Sequence, residues 1–181
     1  MLPLWGCGTF PLPRTYVLAA PDRSTPGVID EAGLSHIELR TVTVPDYLDT
    51  TDIVRQSASN EVTTSATGKW GERLSLGITR ALAFDLTKRL PHTVIEFRGA
   101  YEPSLRLFVN VERFEFGEDG RCTLTARWRV TASGAKDQPN SAQGTFIETS
   151  TAKTDAAEAL AMTEAIDQLS RQIALTLRAS R

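Results

Sequence analysis

The chain has 181 residues, 41% of them hydrophobic, which suits one compact domain burying roughly two-thirds of its unfolded surface. With 20 basic against 22 acidic residues the net charge is −2, a balance that gives no field of one sign and excludes a binder that tracks nucleic-acid phosphates. No run approaches the roughly 20 consecutive apolar residues a bilayer-spanning helix needs.

Leu4-Trp5-Gly6 ahead of Cys7 is an apolar-then-small sequence similar to a bacterial lipobox, in which the cysteine becomes the lipidated residue. Residues 1–6 are too few for a basic region and an apolar stretch of about 7–15 residues, so a leader cut short is expected. The plainer alternative is an exposed thiol in a frayed terminus. Gly8 to Arg14, stiffened by Pro11 and Pro13, reads as a short tether into a first strand at Tyr16-Val17-Leu18-Ala19-Ala20. The expected organisation is therefore a truncated signal, lipobox and tether over residues 1–14 and one folded domain over 15–181. Gly8 stands where, by analogy with enteric sorting rules, an Asp would retain a lipoprotein at the inner membrane, which favours outer-membrane attachment.

Pro21 to Gly33 reads as a surface loop. Leu34 to Val44 is extended, with Ile37 and Leu39 on one parity and Val42 and Val44 on the other, so a bulge or twist is expected near Arg40. Pro45 cannot donate to a central ladder and Asp46, Asp49 and Asp52 favour local turns, which stops the strand near Val44. Ile53 to Gln56 and Val62 to Thr67 form the arms of a hairpin around Ser57-Ala58-Ser59-Asn60. After Trp70 the period changes: Leu74, Ile78, Ala81, Leu82 and Leu86 lie on one stripe of a helix that Pro91 ends.

Thr93 to Arg98 is a short strand. Leu105, Leu107, Val109 and Val111 alternate, then the parity slips to Phe114 and Phe116, which requires an inserted residue near Glu112-Arg113. Glu118-Asp119-Gly120 supplies a turn into a strand from Cys122 to Val130, and after a loop from Ser133 to Gln143 another strand runs from Gly144 to about Thr151. Asp155 with Glu158 resembles a capping box opening a last helix, whose stripe is Ala159, Met162, Ile166, Leu169, Ile173 and Leu177. The predicted fold is a single α+β domain, a largely antiparallel sheet with two amphipathic helices on one face.

Candidate sites are sparse. Cys122 alternates with polar residues and should be an inert core thiol. His36 and His92 lack partners at metal-ligand spacing, and no nucleophile elbow or phosphate loop occurs, so no catalytic set, metal or cofactor is predicted. Asp85 falls near the middle of the first helical stripe, where a hydrogen-bonded or Arg-paired structural role is expected. Tyr47, Leu48 and Trp70 are the candidate partner-binding residues, because Tyr and Trp serve both as core anchors and as interface hot spots. Trp70, at a helix entry, suits the core; Tyr47-Leu48, on a turn after Pro45, suits a partner-facing patch. Arg127 and Arg129, with Thr123 and Thr125, define a polar face that is solvated or covered by a partner.

The run Val44-Pro45-Asp46-Tyr47-Leu48-Asp49, then Ile53-Val54, then Trp70-Gly71-Glu72-Arg73-Leu74 resembles the PqiC/YmbA family, the auxiliary lipoproteins of ABC-type and MCE-type transport systems. The resemblance extends from Tyr16-Val17-Leu18 to the helix from Asp155 to Arg178. It implies a non-enzymatic periplasmic lipoprotein, lipidated at Cys7 and held at the inner leaflet of the outer membrane. It further implies docking to MCE-domain or ABC-type transport subunits, with a homo-oligomer as an open option. The alternative is a domain that itself binds lipid or another apolar ligand between sheet and helices, in a cavity lined by Phe97, Phe108 or Phe114. An envelope hydrolase would need His36 or His92 beside a Ser and a carboxylate in one cleft.

Overall fold

The computed structural model describes residues 12–18, 34–57, 59, 61–97, 102–133 and 140–180. In chain order the elements are β1 (Arg14–Tyr16), β2 (Ser35–Leu39), β3 (Asp52–Gln56), β4 (Val62–Trp70), α1 (Leu74–Arg89), β5 (Thr93–Glu96), β6 (Leu105–Phe116), β7 (Arg121–Ala132), β8 (Asn140–Thr149) and α2 (Asp155–Ala179). Cys7 and the loop from Pro21 to Gly33 lie outside the described residues.

The strands form one mixed sheet around β6. One edge of β6 pairs antiparallel with β7 along its whole length, and β8 continues antiparallel on β7. The other edge is shared: β2 pairs parallel with its start and β3 with its end, at Arg55↔Phe116. β5 flanks β2 in parallel, β4 folds back antiparallel on β3, and β1 runs parallel to β4. The long ladders are antiparallel, as local hairpin closure favours; the short parallel pairings are crossovers that only long connections allow.

Both expected slips are present. The N–H of Arg40 donates to the Leu107 carbonyl and that of Thr43 to the Val109 carbonyl, so three steps of this segment oppose two of β6. The extra residue turns Val42 into the core, where its N–H donates to Thr79 Oγ1 of α1 at 2.9 Å. In β6 the register against β7 shifts between Val111 and Arg113, which carries Phe114 and Phe116 into the core. At the β6–β7 turn Gly120 adopts φ +76°, the left-handed conformation a side chain would strain.

Asp49 explains why the turn after Pro45 and the start of α1 belong together. Arg73 at the α1 N-cap makes no side-chain cap, and the Asp49 carboxylate instead accepts from the Ser75 N–H at 3.1 Å and pairs with Arg73 at 2.7 Å. A carboxylate there satisfies an orphan donor at the positive end of the helix dipole. The stripe Leu74, Ile78, Ala81, Leu82 and Leu86 is buried, and His92 at φ 62° turns the chain into β5.

The capping box expected at α2 is corrected. Thr154 is the N-cap, its Oγ1 accepting from the Ala157 N–H at 3.3 Å, while Asp155 and Glu158 turn their carboxylates toward Arg55 of β3. The stripe from Ala159 to Leu177 packs on β7 and β8, and Trp128 Nε1 of β7 donates to Thr176 Oγ1 at 2.9 Å. α1 lies beside α2, joined by Arg89, which pairs with Asp167 and donates to Ser170 Oγ. Both helices therefore cover one face of the sheet. Several boundaries differ from expectation: the first strand is Arg14–Tyr16, β4 runs on to Trp70, β5 ends at Glu96, and β8 begins at Asn140 because β7 is long enough to pair with Asn140 to Gln143.

Candidate functional site

The residues predicted to meet a partner do not form one patch. Leu48 is 0% exposed and Trp70 5%, so both are core residues, the place expected for Trp70 but not for Leu48, and of the three Tyr47 alone reaches the surface. The turn that exposes Tyr47 at 45% points its neighbour Leu48 inward, as successive residues of a tight turn must diverge. The Tyr47 hydroxyl donates to Glu115 Oε2 at 3.0 Å, and Arg113 Nε donates to Glu115 Oε1 at 2.9 Å. Burial and the Glu115 carboxylate push the Tyr47 phenol up to about 12. Glu115, 1% exposed, is thus fully held on the sheet face opposite the helices.

That opposite face carries the polar residues of the long strands, and no helix lies on it among the described residues. Cross-strand pairing sets Phe108, Arg129 and Ser141 in one row and Asn110, Arg127 and Gln143 in the next. The Arg129 guanidinium lies over the Phe108 ring, 4.8 Å from its centroid, and Arg127 Nε pairs with Glu112 at 2.9 Å. With Arg40 these side chains line a groove of about 540 Å³ that runs from the segment after β2 to the edge of β8. Three guanidinium groups line it: Arg40 pairs with Glu38 at 2.8 Å, Arg127 with Glu112, and Arg129 lies over Phe108. The alternation of Arg127 and Arg129 was visible in sequence; Phe108 and Gln143 were not, because only cross-strand register brings them alongside.

A second cluster sits where α2 begins. Arg55 pairs with Asp155 and with Glu158, each at 2.7 Å, and Thr67 Oγ1 donates to Asp155 Oδ2 at 2.6 Å. Leu12 and Arg14 border a groove of about 600 Å³ beside Thr67, Thr154 and Asp155. The segment that leads back to Cys7 therefore enters the domain at the α2 N-terminal end.

The other expectations resolve as follows. Cys122 is buried, and burial followed by the Glu148, Glu158 and Glu115 charges pushes its thiol up to about 12. His36 Nδ1 lies 3.2 Å from Glu96, while Ser104 Oγ donates to the His36 backbone carbonyl, so no Ser–His pair forms there. Among the described residues no group of His, Cys, Asp and Glu is arranged to hold a metal. Asp85 is half-buried; burial and Asp167 raise its carboxyl, offset in part by Arg89 and Lys88. Phe97 is exposed beyond β5, Phe108 lies on the open face and Phe114 is in the core, so the three do not line a common cavity.

The sequence matches the family model of the ABC-type transport auxiliary lipoprotein component over residues 16–174. The chain belongs to this family. No curated protein matches it by sequence. Two solved structures share the fold of this family member closely. One, of an uncharacterised protein, is 18% identical over 91% of this chain and 98% of that chain, with a TM-score of 0.76. The other, from Xanthomonas campestris, is 14% identical over 92% of this chain and 98% of that chain, with a TM-score of 0.71. A hypothetical protein from Chlamydia trachomatis, 6% identical, matches over 78% of this chain and 96% of its own with a TM-score of 0.53.

The run from Val44 to Leu74 sends three successive side chains to three different places. Its Pro45 turn presents Tyr47 to the open face, buries Leu48, and delivers Asp49 to the start of α1.

Proposed function

We propose that this auxiliary lipoprotein component is a non-enzymatic periplasmic adaptor, acylated at Cys7 and anchored in the inner leaflet of the outer membrane. It holds a periplasmic subunit of an ABC-type, MCE-associated transport system against that membrane. The observation that carries this reading is the segregation of the sheet faces: one is sealed by α1 and α2, while the other offers Tyr47, Arg127 and Arg129 to solvent. Among the described residues the apolar side chains between sheet and helices form one buried cluster, and a broad polar face suits protein docking.

The short spacing from Cys7 would keep the domain close to its anchor. Cys7 precedes Leu12 by only five residues, a reach of roughly 17 Å in extended chain. The α2 N-terminal end, beside Leu12, is accordingly the membrane-proximal one, and α2 carries the domain roughly 37 Å away from it. Stable attachment takes two or more acyl chains, each buried CH₂ adding about 0.8 kcal/mol.

The test is a pull-down from detergent-solubilised envelopes using a precursor with a complete export leader, comparing wild type with Cys7→Ala and weighing the N-terminal peptide. Recovery of an MCE-domain or ABC-transport subunit, with an acylated Cys7 in the wild type alone, is the expected result. An unmodified Cys7 with no transport subunit recovered would sink the proposal.

A further inference from the structure

Among the described residues the outer edge of β8 is an unpaired sheet edge. β8 pairs with β7 without a break from Arg121↔Thr149 to Val130↔Asn140, and among the described residues no strand takes its other side. The Ser150 N–H donates to the Gly120 carbonyl at 3.0 Å, directly across the ladder, which sets the alternation: even-numbered positions bond to β7. Ser141, Gln143, Thr145 and Ile147 therefore turn their N–H and C=O groups outward. Edge strands are usually protected by Pro, Lys, a bulge or short length. Residues 140–149 contain no Pro and no Lys, and their ladder has no register shift.

The same outward residues carry their side chains on the open face, in line with the arginine rows. Arg129 stands beside Ser141 and Arg127 beside Gln143, and β8 offers no carboxylate on this face. A strand added to β8 would lie two spacings from β7, about 10 Å, within joint reach of an arginine and an acidic side chain. Both guanidinium groups now lean toward β6, on Phe108 and Glu112, and such exposed contacts are cheap to exchange.

We infer that the β8 edge accepts an extended acidic segment of the transport subunit by strand addition, its alternate carboxylates meeting Arg127 and Arg129. This rests on the adaptor function proposed above and specifies its mode. Backbone ladder bonds supply the attachment and the arginine rows choose the charge of the partner. A second copy of this chain is disfavoured as the occupant, since its own β8 brings only Ser, Gln, Thr and Ile to this face.

The test uses the full chain and a capped synthetic peptide alternating valine with glutamate, against its lysine counterpart, read by anisotropy and by amide exchange at Ser141, Gln143, Thr145 and Ile147. The glutamate peptide should bind, protect those amides and weaken with salt, and the lysine peptide should not bind. Thr145→Pro removes an outward N–H without touching the β7 ladder and should weaken binding at least tenfold, as should Arg127→Glu with Arg129→Glu. The charge-reversal pair, on exposed positions, keeps the test decisive should Thr145→Pro fail to fold. Equal binding of both peptides, or binding undiminished in both variants, would overturn the inference, as would a wild-type dimer that Thr145→Pro dissociates. In the envelope pull-down, a transport subunit retained undiminished by both variants rejects strand addition and leaves the adaptor standing; a subunit absent even from wild type rejects the adaptor itself.

Discussion

Arg55 of β3 and Asp155 of α2 are joined at 2.7 Å, a contact that ties the sheet to the first turn of the last helix across a hundred residues of chain. Burial alone would raise the Asp155 carboxyl, but hydrogen bonds from Thr67, Ser65 and Arg55 outweigh it and hold the group below its ordinary value. A carboxyl depressed in the folded state contributes stability that is complete above its unfolded value of about 3.9 and is lost as pH falls through the folded one. Denaturant midpoints should therefore decline on acidification below about pH 5, and Asp155→Asn should flatten that decline. Arg55→Ala leaves two buried carboxylates facing each other; because Arg55 is 32% exposed, the expected cost is about 2–3 kcal/mol, toward the low end for a broken buried pair.

Gly68 of β4 is required by the same junction. A Cβ there would stand 2.7 Å from the Asp155 carboxyl carbon and Oδ2, closer than any real contact. Gly68→Ala should destabilise the domain by about 1–3 kcal/mol, the usual range for overpacking, and should shift the acid limb of the stability profile because the Arg55 pairing is displaced. Gly120→Ala, with open space around it, costs only backbone strain of about 1 kcal/mol and serves as the comparison.

Adjacent residues on the Pro45 turn should differ in what their truncation costs in stability. Leu48→Ala empties a fully buried site and should cost about 2–4 kcal/mol in chemical denaturation. Tyr47→Phe removes one hydrogen bond to a carboxylate that keeps its Arg113 partner, so a loss of about 1–2 kcal/mol is expected. Equal losses for the two variants would contradict the divergence of these side chains.

Thiol labelling gives a further check. Cys122 is buried and pushed up to about 12, so at neutral pH a maleimide should leave it unmodified in the folded chain and modify it only in denaturant. Rapid labelling of native Cys122, read by peptide mass, would place its strand face wrongly.

Much of the architecture was legible because it depends on local period. Leu74 to Leu86 and Ala159 to Leu177 repeat at helical spacing, and Cys122 to Val130 alternates, so the buried faces follow directly from residue order. The slip from Val111 to Phe114 likewise announces a bulge, since a strand cannot change parity otherwise. The family resemblance was also read locally, from the ordered motifs between Val44 and Leu74, and the family model matches over residues 16–174. Long-range choices were not legible. Whether Asp155 and Glu158 cap a helix or grip Arg55 depends on where β3 arrives, and Thr154, the adjacent hydroxyl, cedes nothing in its sequence to distinguish the two. Tyr47 and Leu48 read alike as apolar residues on a turn, and only the position of Glu115 and the core below decides which one faces outward. The sequence by itself determined which residues must be buried, because periodicity is a property of neighbours; tertiary structure alone decided which strands meet, which sheet face stays open and which edge is left unpaired, because those depend on contacts whose partners lie far apart in the chain.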